Sequence, residues 1–378
     1  MGSVLSRRTF LKGPAALGLA ALLPSCRRHR AFSGYAFVAN QEGRAIAAVD
    51  LGLFAVTRYI RLDGAPTAIV ADPPRQTVYA LTPDNGVVHE IRADRLALGR
   101  TLSVARSAVS MRLSADGQSI YVLCRDPRRL VAVSLKDFRV EWSVGLAGDP
   151  FDFDVAPTGS HAAVSYGKTG AIQLVDLAAR RAAPAETIAS ETGTLRFLGT
   201  REKLENLLVA DVSGQMLQAL QVPSGRLITK LPLAVRPEHF CFNDDGGQLF
   251  ITGAGMDAVV IVYPFYTPQI GETVLAGRSP GAMAASPTML FVANSKSGDI
   301  SIFNIDSRKM VGVAPAGTNP SFITITPDNQ YALVLNQDSG DMAVLWIPAL
   351  TRRHGRISPL FNMIPVGSKP VAAAVLPM

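Results

Sequence analysis

The stretch from Gly317 to Ile347 decides the fold, and it reads GTNPSFITITPDNQYALVLNQDSGDMAVLWI. After a Gly/Pro corner it contains three short β-rich runs, Ser321–Thr326, Tyr331–Leu335 and Met342–Ile347. Polar turns rich in Pro, Asp, Asn and Gly separate these runs. Short apolar runs divided by such turns are typical of consecutive antiparallel strands. The stretch therefore predicts three sequential strands of one sheet.

The same pattern recurs along the chain at intervals of roughly 40 to 45 residues, which is the spacing of propeller blades. We expect an all-β, eight-bladed β-propeller with four antiparallel strands per blade, and seven blades if the degenerate unit Ala183–Lys203 is misread. The second strands of the eight units are predicted at Tyr35–Asn40, Val78–Thr82, Ile120–Arg125, Ala162–Tyr166, Leu207–Asp211, Leu249–Gly253, Leu290–Asn294 and Tyr331–Asn336.

The two ends of the repeat region complement each other. The chain begins its first unit at Tyr35 with a second strand, and it ends with a lone first strand at Lys369–Leu376. We expect the C-terminal strand to pair into the N-terminal blade and close the ring. Closure removes sheet edges that would otherwise pair with other chains.

The repeat resembles the YVTN-type β-propeller repeat. Phe291–Asn294 matches its YVTN-like strand, Ile300–Ile305 its VsVID-like strand, Gly317–Pro320 its G-x-x-P corner, and Pro327–Asn329 its PDG turn. The resemblance covers about residues 36–378 and implies the propeller fold. It also implies a superfamily, with cytochrome d1-like and lactonase-like members, that includes binding proteins, sugar lactonases and haem-carrying propellers.

The N-terminal residues resemble an export signal. Ser6–Lys12 contains Arg7 and Arg8 in a twin-arginine-like motif, and the apolar run Ala15–Leu23 that follows is too short to span a bilayer. Leu23–Cys26 resembles a lipobox with Cys26 as the lipidated residue. We therefore expect a signal over 1–26, a basic tether over 27–34, one propeller domain over 35–378, and a lipoprotein on the periplasmic face of a bacterial membrane. Cleavage near Cys26 without lipidation is the alternative.

The net charge of +7 is concentrated at the N-terminus. The first 34 residues hold six cations and no carboxylate, so the propeller carries about +1. Nucleic-acid-binding domains normally show a strong basic footprint. The sequence thus argues against a nucleic-acid partner, and we expect a monomer that binds a protein or a small anionic ligand.

Cysteines are sparse after Cys26. Cys124 and Cys241 fall three blades apart, beyond the reach of a disulfide, so both are predicted to be free buried thiols. The sequence contains no Cys/His spacing typical of zinc and no CxxCH haem-attachment motif. We predict no metal site and no obligatory cofactor, with haem and Ca²⁺ as open alternatives.

Propellers bind ligands where the corners before the first strands converge on the axis. Cations occupy four of these corners, which suits an anionic ligand. Ordinary loop residues, balanced by nearby carboxylates, are the alternative. The corner residues are Asp63, Arg106, Asp149, Glu191, Arg236, Arg278, Asn319 and Lys369.

Two further features could contribute chemistry. His239 follows the corner at Arg236 and is a candidate ligand-binding residue, haem ligand or general base. Asp152 and Asp154 alternate along one predicted strand face and could act as an acid/base pair or bind Ca²⁺. A structural role is the alternative for all three.

The last blade carries an insertion, Pro348–Pro359, with four basic groups between its third and fourth strands. We expect it on the face opposite the funnel, where it could contact an acidic partner or lipid headgroups. The expected function is a binding or scaffold module. The alternative is an enzyme of the lactonase-like hydrolase or haem-carrying redox type.

Overall fold

The computed structural model describes residues 32–198, 205–351 and 358–378. The export motif with Arg7 and Arg8, the lipidation site Cys26, the tether up to residue 31 and the basic part of the insertion, 352–357, lie outside the described residues. The described chain folds into eight antiparallel sheets, which confirms eight blades instead of seven.

Each blade presents its strands in sequence order. The strands of blades 1 to 4 are β1 (Gly34–Asn40), β2 (Ala45–Asp50) and β3 (Ala55–Arg61); β4 (Ala68–Asp72), β5 (Thr77–Thr82), β6 (Val87–Arg92) and β7 (Ala97–Ser103); β8 (Ser107–Leu113), β9 (Ser119–Asp126), β10 (Arg129–Ser134) and β11 (Arg139–Gly145); and β12 (Asp152–Val155), β13 (His161–Ser165), β14 (Ala171–Asp176), β15 (Arg181–Ala182) and β16 (Glu186–Thr187).

The remaining strands form blades 5 to 8 and the closing strand. They are β17 (Thr192–Leu198), β18 (Glu205–Asp211), β19 (Met216–Val222) and β20 (Arg226–Pro232); β21 (His239–Phe242), β22 (Leu249–Thr252), β23 (Ala258–Tyr263) and β24 (Gln269–Leu275); β25 (Pro280–Ala285), β26 (Met289–Asn294), β27 (Asp299–Asn304) and β28 (Met310–Pro315); β29 (Pro320–Ile325), β30 (Tyr331–Asn336), β31 (Asp341–Trp346) and β32 (Leu360–Pro365); and β33 (Pro370–Pro377). The described helices are one turn each, namely the 3-10 helices Pro73–Arg75 and Gly167–Thr169 and α1 (Pro348–Thr351) in the insertion.

Strand β33 completes blade 1, as the complementary ends of the repeat predict. It pairs antiparallel with β1 and places Tyr35 opposite Leu376 and Val38 opposite Ala373. The sheet order of blade 1 is therefore β3-β2-β1-β33.

The first strands of the blades form a closed inner ring. Each of β33, β4, β8, β12, β17, β21, β25 and β29 contacts the first strands of both neighbouring blades, and β29 contacts β33. The core lies between blades in clusters dominated by Val, Leu, Ile and Ala, such as Phe37, Ile46, Val78 and Leu376 between blades 1 and 2. This arrangement surrounds an axial channel.

The degenerate unit at Ala183–Lys203 has a structural cause in its described part. The fourth strand of blade 4 is split into β15 and β16, which pair with opposite ends of β14. Pro184 lies in the break, and proline cannot donate a ladder hydrogen bond. The strand signal weakens here, although the blade is present.

The strand directions define two faces of the disc. The funnel face carries the corners before the first strands and the turns between second and third strands. The opposite face carries the turns between first and second and between third and fourth strands, so the described ends of the insertion, 348–351 and 358–359, lie there as expected.

Candidate functional site

Four charged side chains meet on the inner ring of blades 3, 4 and 5. Arg112 lies on β8, Asp152 and Asp154 lie on β12, and Arg196 lies on β17. All four side chains are at least two-thirds removed from solvent. Because charged groups are rarely buried without a partner, the meeting of two cations and two carboxylates from three blades makes this axial cluster a candidate site.

One pair within the cluster is tightly bonded. Nη1 of Arg196 donates to Oδ2 of Asp152 at 2.7 Å. Asp154 accepts the backbone N–H of Phe197 at 2.9 Å through Oδ2. The two carboxylates share one strand face, as their alternation predicts, and each is anchored to blade 5.

Arg112 is held more loosely. Its Nη2 lies 3.6 Å from Oδ1 of Asp152, and its Nε lies 3.8 Å from Oδ1 of Asp154. Both distances exceed hydrogen-bond range. The guanidinium donates to its neighbour's carbonyl, at Met111, and stacks over the ring of Phe153. Arg112 therefore keeps donor groups that could bind an acceptor in the channel.

The local environment shifts the protonation of this cluster. Burial raises the pKa of Asp154, while the positive charge of Arg196 and the N–H of Phe197 oppose the rise. Burial, together with the charge of Arg196, lowers the pKa of Arg112. Ser110, two residues before Arg112 on β8, has a buried hydroxyl without a partner among the described residues.

Charge on the inner ring is confined to one side. The first strands of blades 7, 8 and 1 (β25, β29 and β33) contain no charged residue, and β4 of blade 2 contains only Asp72, which pairs with Arg75. Apolar residues such as Met283, Phe322 and Val371 occupy these strands. The inner strands are thus charged on one side of the ring and uncharged on the other, where these apolar side chains pack against the interblade core.

His239 begins β21 at the funnel end of the inner ring. Its side chain is exposed at the surface. The protein packed around the imidazole nevertheless disfavours its charged form, and this desolvation lowers the pKa of His239. Glu238 opposes that shift, and Arg196 adds to it. Gly281 lies beside the imidazole, and a Cβ at that position would be in ordinary van der Waals contact with Nε2 of His239, at 3.6 Å.

Three of the four corner cations have a carboxylate partner on the funnel face. Arg106 contacts Asp126 at 3.1 Å, Arg236 contacts Glu191 at 3.9 Å, and Lys369 contacts Glu42 at 3.6 Å. Arg278 lines a cavity of about 490 Å³ with Glu238 and Lys296. The turns and corners of this face together hold eight cations and eight carboxylates.

Asp149 lies at the mouth of the channel near the axial cluster. It pairs with Arg125 at 3.0 Å and lines a cavity of about 570 Å³ between blades 4 and 5. The half-exposed ring of Phe151 and the ammonium of Lys168 share this cavity. The predicted site residues are therefore spread around the funnel, and Arg106 and Asp149 lie in the corners that lead into blades 3 and 4.

Neither Arg112 nor Arg196 was predicted from the sequence as a site residue. Each is a lone arginine near the end of a first strand, between apolar neighbours in Met111-Arg112-Leu113 and Leu195-Arg196-Phe197. The available signal in the sequence was a charged residue on a predicted first strand, between apolar neighbours. Recognising its partners required the contacts between blades 3, 4 and 5.

Other predicted features can be placed directly. Cys124 is buried and Cys241 is partly buried; both are free, and burial raises the pKa of each to about 12. Within the described ranges, no group of three His, Cys, Asp or Glu side chains is arranged to hold a metal ion. No described helix is long and apolar enough to cross a membrane.

No family model and no curated protein matches the chain. Solved structures do. Dihydro-heme d1 dehydrogenase NirN in complex with DHE is similar with a TM-score of 0.73 at 14% identity, covering 94% of this chain and 78% of that one. Saccharomyces cerevisiae Sqt1 is similar with a TM-score of 0.68 at 10% identity over 81% of this chain and 86% of that one.

Kuenenia stuttgartiensis hydrazine synthase is similar with a TM-score of 0.56 at 17% identity, covering 71% of this chain and 92% of that one. At such low identities these likenesses show the fold alone. They agree with the eight-bladed ring in showing a β-propeller fold.

Proposed function

We propose that this protein is a binding module that takes a small anionic ligand, of the carboxylate class, in its axial channel. The carrying observation is Arg112, a partly buried cation whose neighbouring carboxylates lie 3.6 and 3.8 Å away, beyond hydrogen-bond range, and are bonded to Arg196 and to the N–H of Phe197. A guanidinium with free donors matches the planar geometry of a carboxylate.

The two aspartates do not cancel this attraction under all conditions. Asp152 is bonded to Arg196, and these two charges neutralise each other. The pKa of Asp154 is raised, so this carboxylate becomes protonated at a higher pH than an ordinary aspartate. Once it is neutral, the cluster carries a net positive charge and a carboxyl O–H that can donate to the ligand.

The apolar side of the inner ring extends this proposal. A ligand that points its carboxylate at Arg112 would place its remaining atoms towards strands β25, β29 and β33. An apolar body would be favoured there by about 25 cal/mol per Å² buried. The preferred ligand is thus amphipathic, with a carboxylate at one end.

Thermal denaturation with a panel of acetate, succinate and benzoate tests the proposal. A ligand at 100 times its Kd should stabilise the fold by about 2.7 kcal/mol. Arg112→Gln should abolish the stabilisation, whereas the matched change Arg106→Gln on the funnel face should retain it. Equal stabilisation of the two variants would contradict the proposed site.

We further propose that the protein is exported through Arg7 and Arg8 and anchored by lipid on Cys26. The supporting observation is the sequence of residues 6–26. Lys in place of both arginines should leave precursor in the cytoplasm. Cys26→Ala should move the mature chain from membranes into the soluble periplasmic fraction, and membrane retention of that variant would contradict the anchor.

A tetrapyrrole-binding redox protein is the second candidate, and His239 favours it. Its imidazole is exposed and lies near Gly281, and its lowered pKa favours the neutral, ligating form. The similar structure NirN is a dihydro-heme d1 dehydrogenase. A Soret band in natively purified protein that His239→Ala removes would support this candidate, and a spectrum without one would contradict it.

A further inference from the structure

A ring of apolar side chains surrounds the face opposite the funnel. The second residue of the fourth strand is large and apolar in six blades, and it is 39% to 45% exposed in each. Fourth strands start from that face, so these residues lie at equivalent positions along its rim. They are Leu98, Val140, Leu227, Ile270, Val311 and Phe361.

Two larger protrusions extend the apolar surface. Leu53 is 75% exposed in the turn after β2, and Tyr266 is 76% exposed in the turn after β23. Both turns connect third and fourth strands and thus belong to the same face. Exposed aliphatic and tyrosine side chains grouped on one face are typical of an interaction surface, and tyrosine favours the boundary between lipid and water.

The start of the described chain lies on this face. The carbonyl oxygen of Phe32 lies 3.9 Å from the position of a Cβ on Gly52, which is next to Leu53. Six peptide steps separate Cys26 from Phe32, and an extended chain of that length spans at most about 20 Å. A lipid on Cys26 would therefore hold this face, and not the funnel, at the bilayer.

Charge is unevenly distributed within this face. The described turns between third and fourth strands, which lie beside the apolar ring, hold five cations and three carboxylates, whereas the described turns between first and second strands hold one cation and four carboxylates. The outer part of the face therefore carries a basic excess beside apolar side chains, which favours anionic lipid headgroups. The cations are Arg95, Lys136, Arg180, Arg308 and Lys309, and the carboxylates are Asp94, Asp137 and Asp306.

We infer that this face rests on an anionic lipid bilayer, with Leu53, Tyr266 and the apolar ring at the interface and the funnel turned towards the aqueous phase. The inference depends on the proposed lipid anchor at Cys26. It adds an orientation, because an anchor alone would allow the disc to present either face or its edge.

Tryptophan quenching by lipids brominated in their acyl chains tests the orientation. The lipidated full chain is reconstituted into phosphatidylglycerol-containing vesicles as the variants Tyr266→Trp and Leu53→Trp. Phe151→Trp on the funnel face is the matched exposed control. The native Trp142 and Trp346 give the same background in all variants, which the wild type measures.

The added fluorescence at positions 266 and 53 should be quenched several-fold more than that at position 151. Equal quenching at the three positions, or stronger quenching at 151, would overturn the orientation. Vesicle flotation of the wild type separates the proposed lipid anchor from the inferred orientation. Flotation without quenching at 266 or 53 contradicts the orientation alone, and failure to float contradicts both claims. If the fluorescence at positions 266 and 53 were protected from a water-soluble quencher in cell extract but not quenched by brominated lipid, a protein partner would cover this face. That result would also overturn the inference.

Discussion

Arg196 and Asp152 join blades 5 and 4 on the inner ring, with Nη1 and Oδ2 2.7 Å apart. Both side chains are largely buried, so each charge depends on the other for compensation. Removing one partner of a buried pair leaves an uncompensated charge, which costs about 3–5 kcal/mol. This pair fixes the position of Asp152 next to Arg112, so it also determines the geometry of the proposed site.

Arg196→Met should therefore destabilise the protein by about 3 kcal/mol, and the double change with Asp152→Asn should recover part of that loss. Unfolding by urea, monitored by tryptophan fluorescence, measures both effects. Strict additivity of the two single changes would show that the pair is not energetically coupled.

Asp154 should give the stability a pH dependence. Its pKa is raised above the ordinary value of 3.8, so the folded protein holds this proton more tightly than the unfolded chain. The resulting stabilisation is fully present below the unfolded pKa and is lost as pH rises through the folded pKa, with a slope of at most about 1.4 kcal/mol per pH unit. Asp154→Asn should remove this slope. An unchanged pH profile would show that Asp154 does not titrate as its environment indicates.

The same proton should control ligand binding. Because ionised Asp154 repels an anion, affinity for a carboxylate should fall as pH rises through the Asp154 pKa in the wild type. In Asp154→Asn the affinity should stay constant over that range. Isothermal titration at a series of pH values provides the comparison, and parallel pH profiles would exclude Asp154 from the site.

Ring closure makes the C-terminal strand essential. Deleting Lys369–Met378 removes β33, its ladder to β1 and the buried side chain of Leu376. Each lost hydrogen bond contributes about 1 kcal/mol, and total stabilities are only about 5–15 kcal/mol. The truncated chain should aggregate, whereas deletion of Met378 alone should have little effect. Cooperative melting of the truncated chain at the wild-type temperature would refute closure as the source of stability.

The corner cations should act at long range. Replacing Arg236 and Arg278 together with Ala should weaken binding of an anion at low salt, by less than about tenfold, and the difference should vanish as screening increases. Direct contacts at the funnel would instead cost about 1–3 kcal/mol per lost charged hydrogen bond at every salt concentration. Titrations at two ionic strengths distinguish the two cases.

The fold was accessible from sequence because its signals are local and repeated. Runs such as Tyr331–Leu335 between Gly/Pro turns recur eight times, and the lone strand at the C-terminus predicts its own partner. In the sequence, the split fourth strand of blade 4 gives only a weak repeat unit, because Pro184 interrupts the strand. The pairing of its two halves, β15 and β16, with β14 is evident only in the structure.

The candidate site was accessible only in part. Alternation correctly placed Asp152 and Asp154 on one face, since strand periodicity is local. Their arginines come from strands about 40 residues away in either direction, so the pairing depends on how neighbouring blades pack. Glu191, the partner of Arg236, was one of the corner carboxylates expected to balance the cations. The partners of Arg106 and Lys369 were hidden, because Asp126 ends β9 and Glu42 lies in the turn between β1 and β2.

The central claim is that Arg112 binds an anionic ligand in the axial channel. Mass spectrometry of the small molecules released from natively purified protein tests it most directly, with the wild type and Arg112→Gln prepared side by side and Arg106→Gln as the matched control. The account predicts a carboxylate-bearing compound in the wild type and in Arg106→Gln, and its loss from Arg112→Gln. The same released compounds in all three preparations, or none in the wild type, would contradict it.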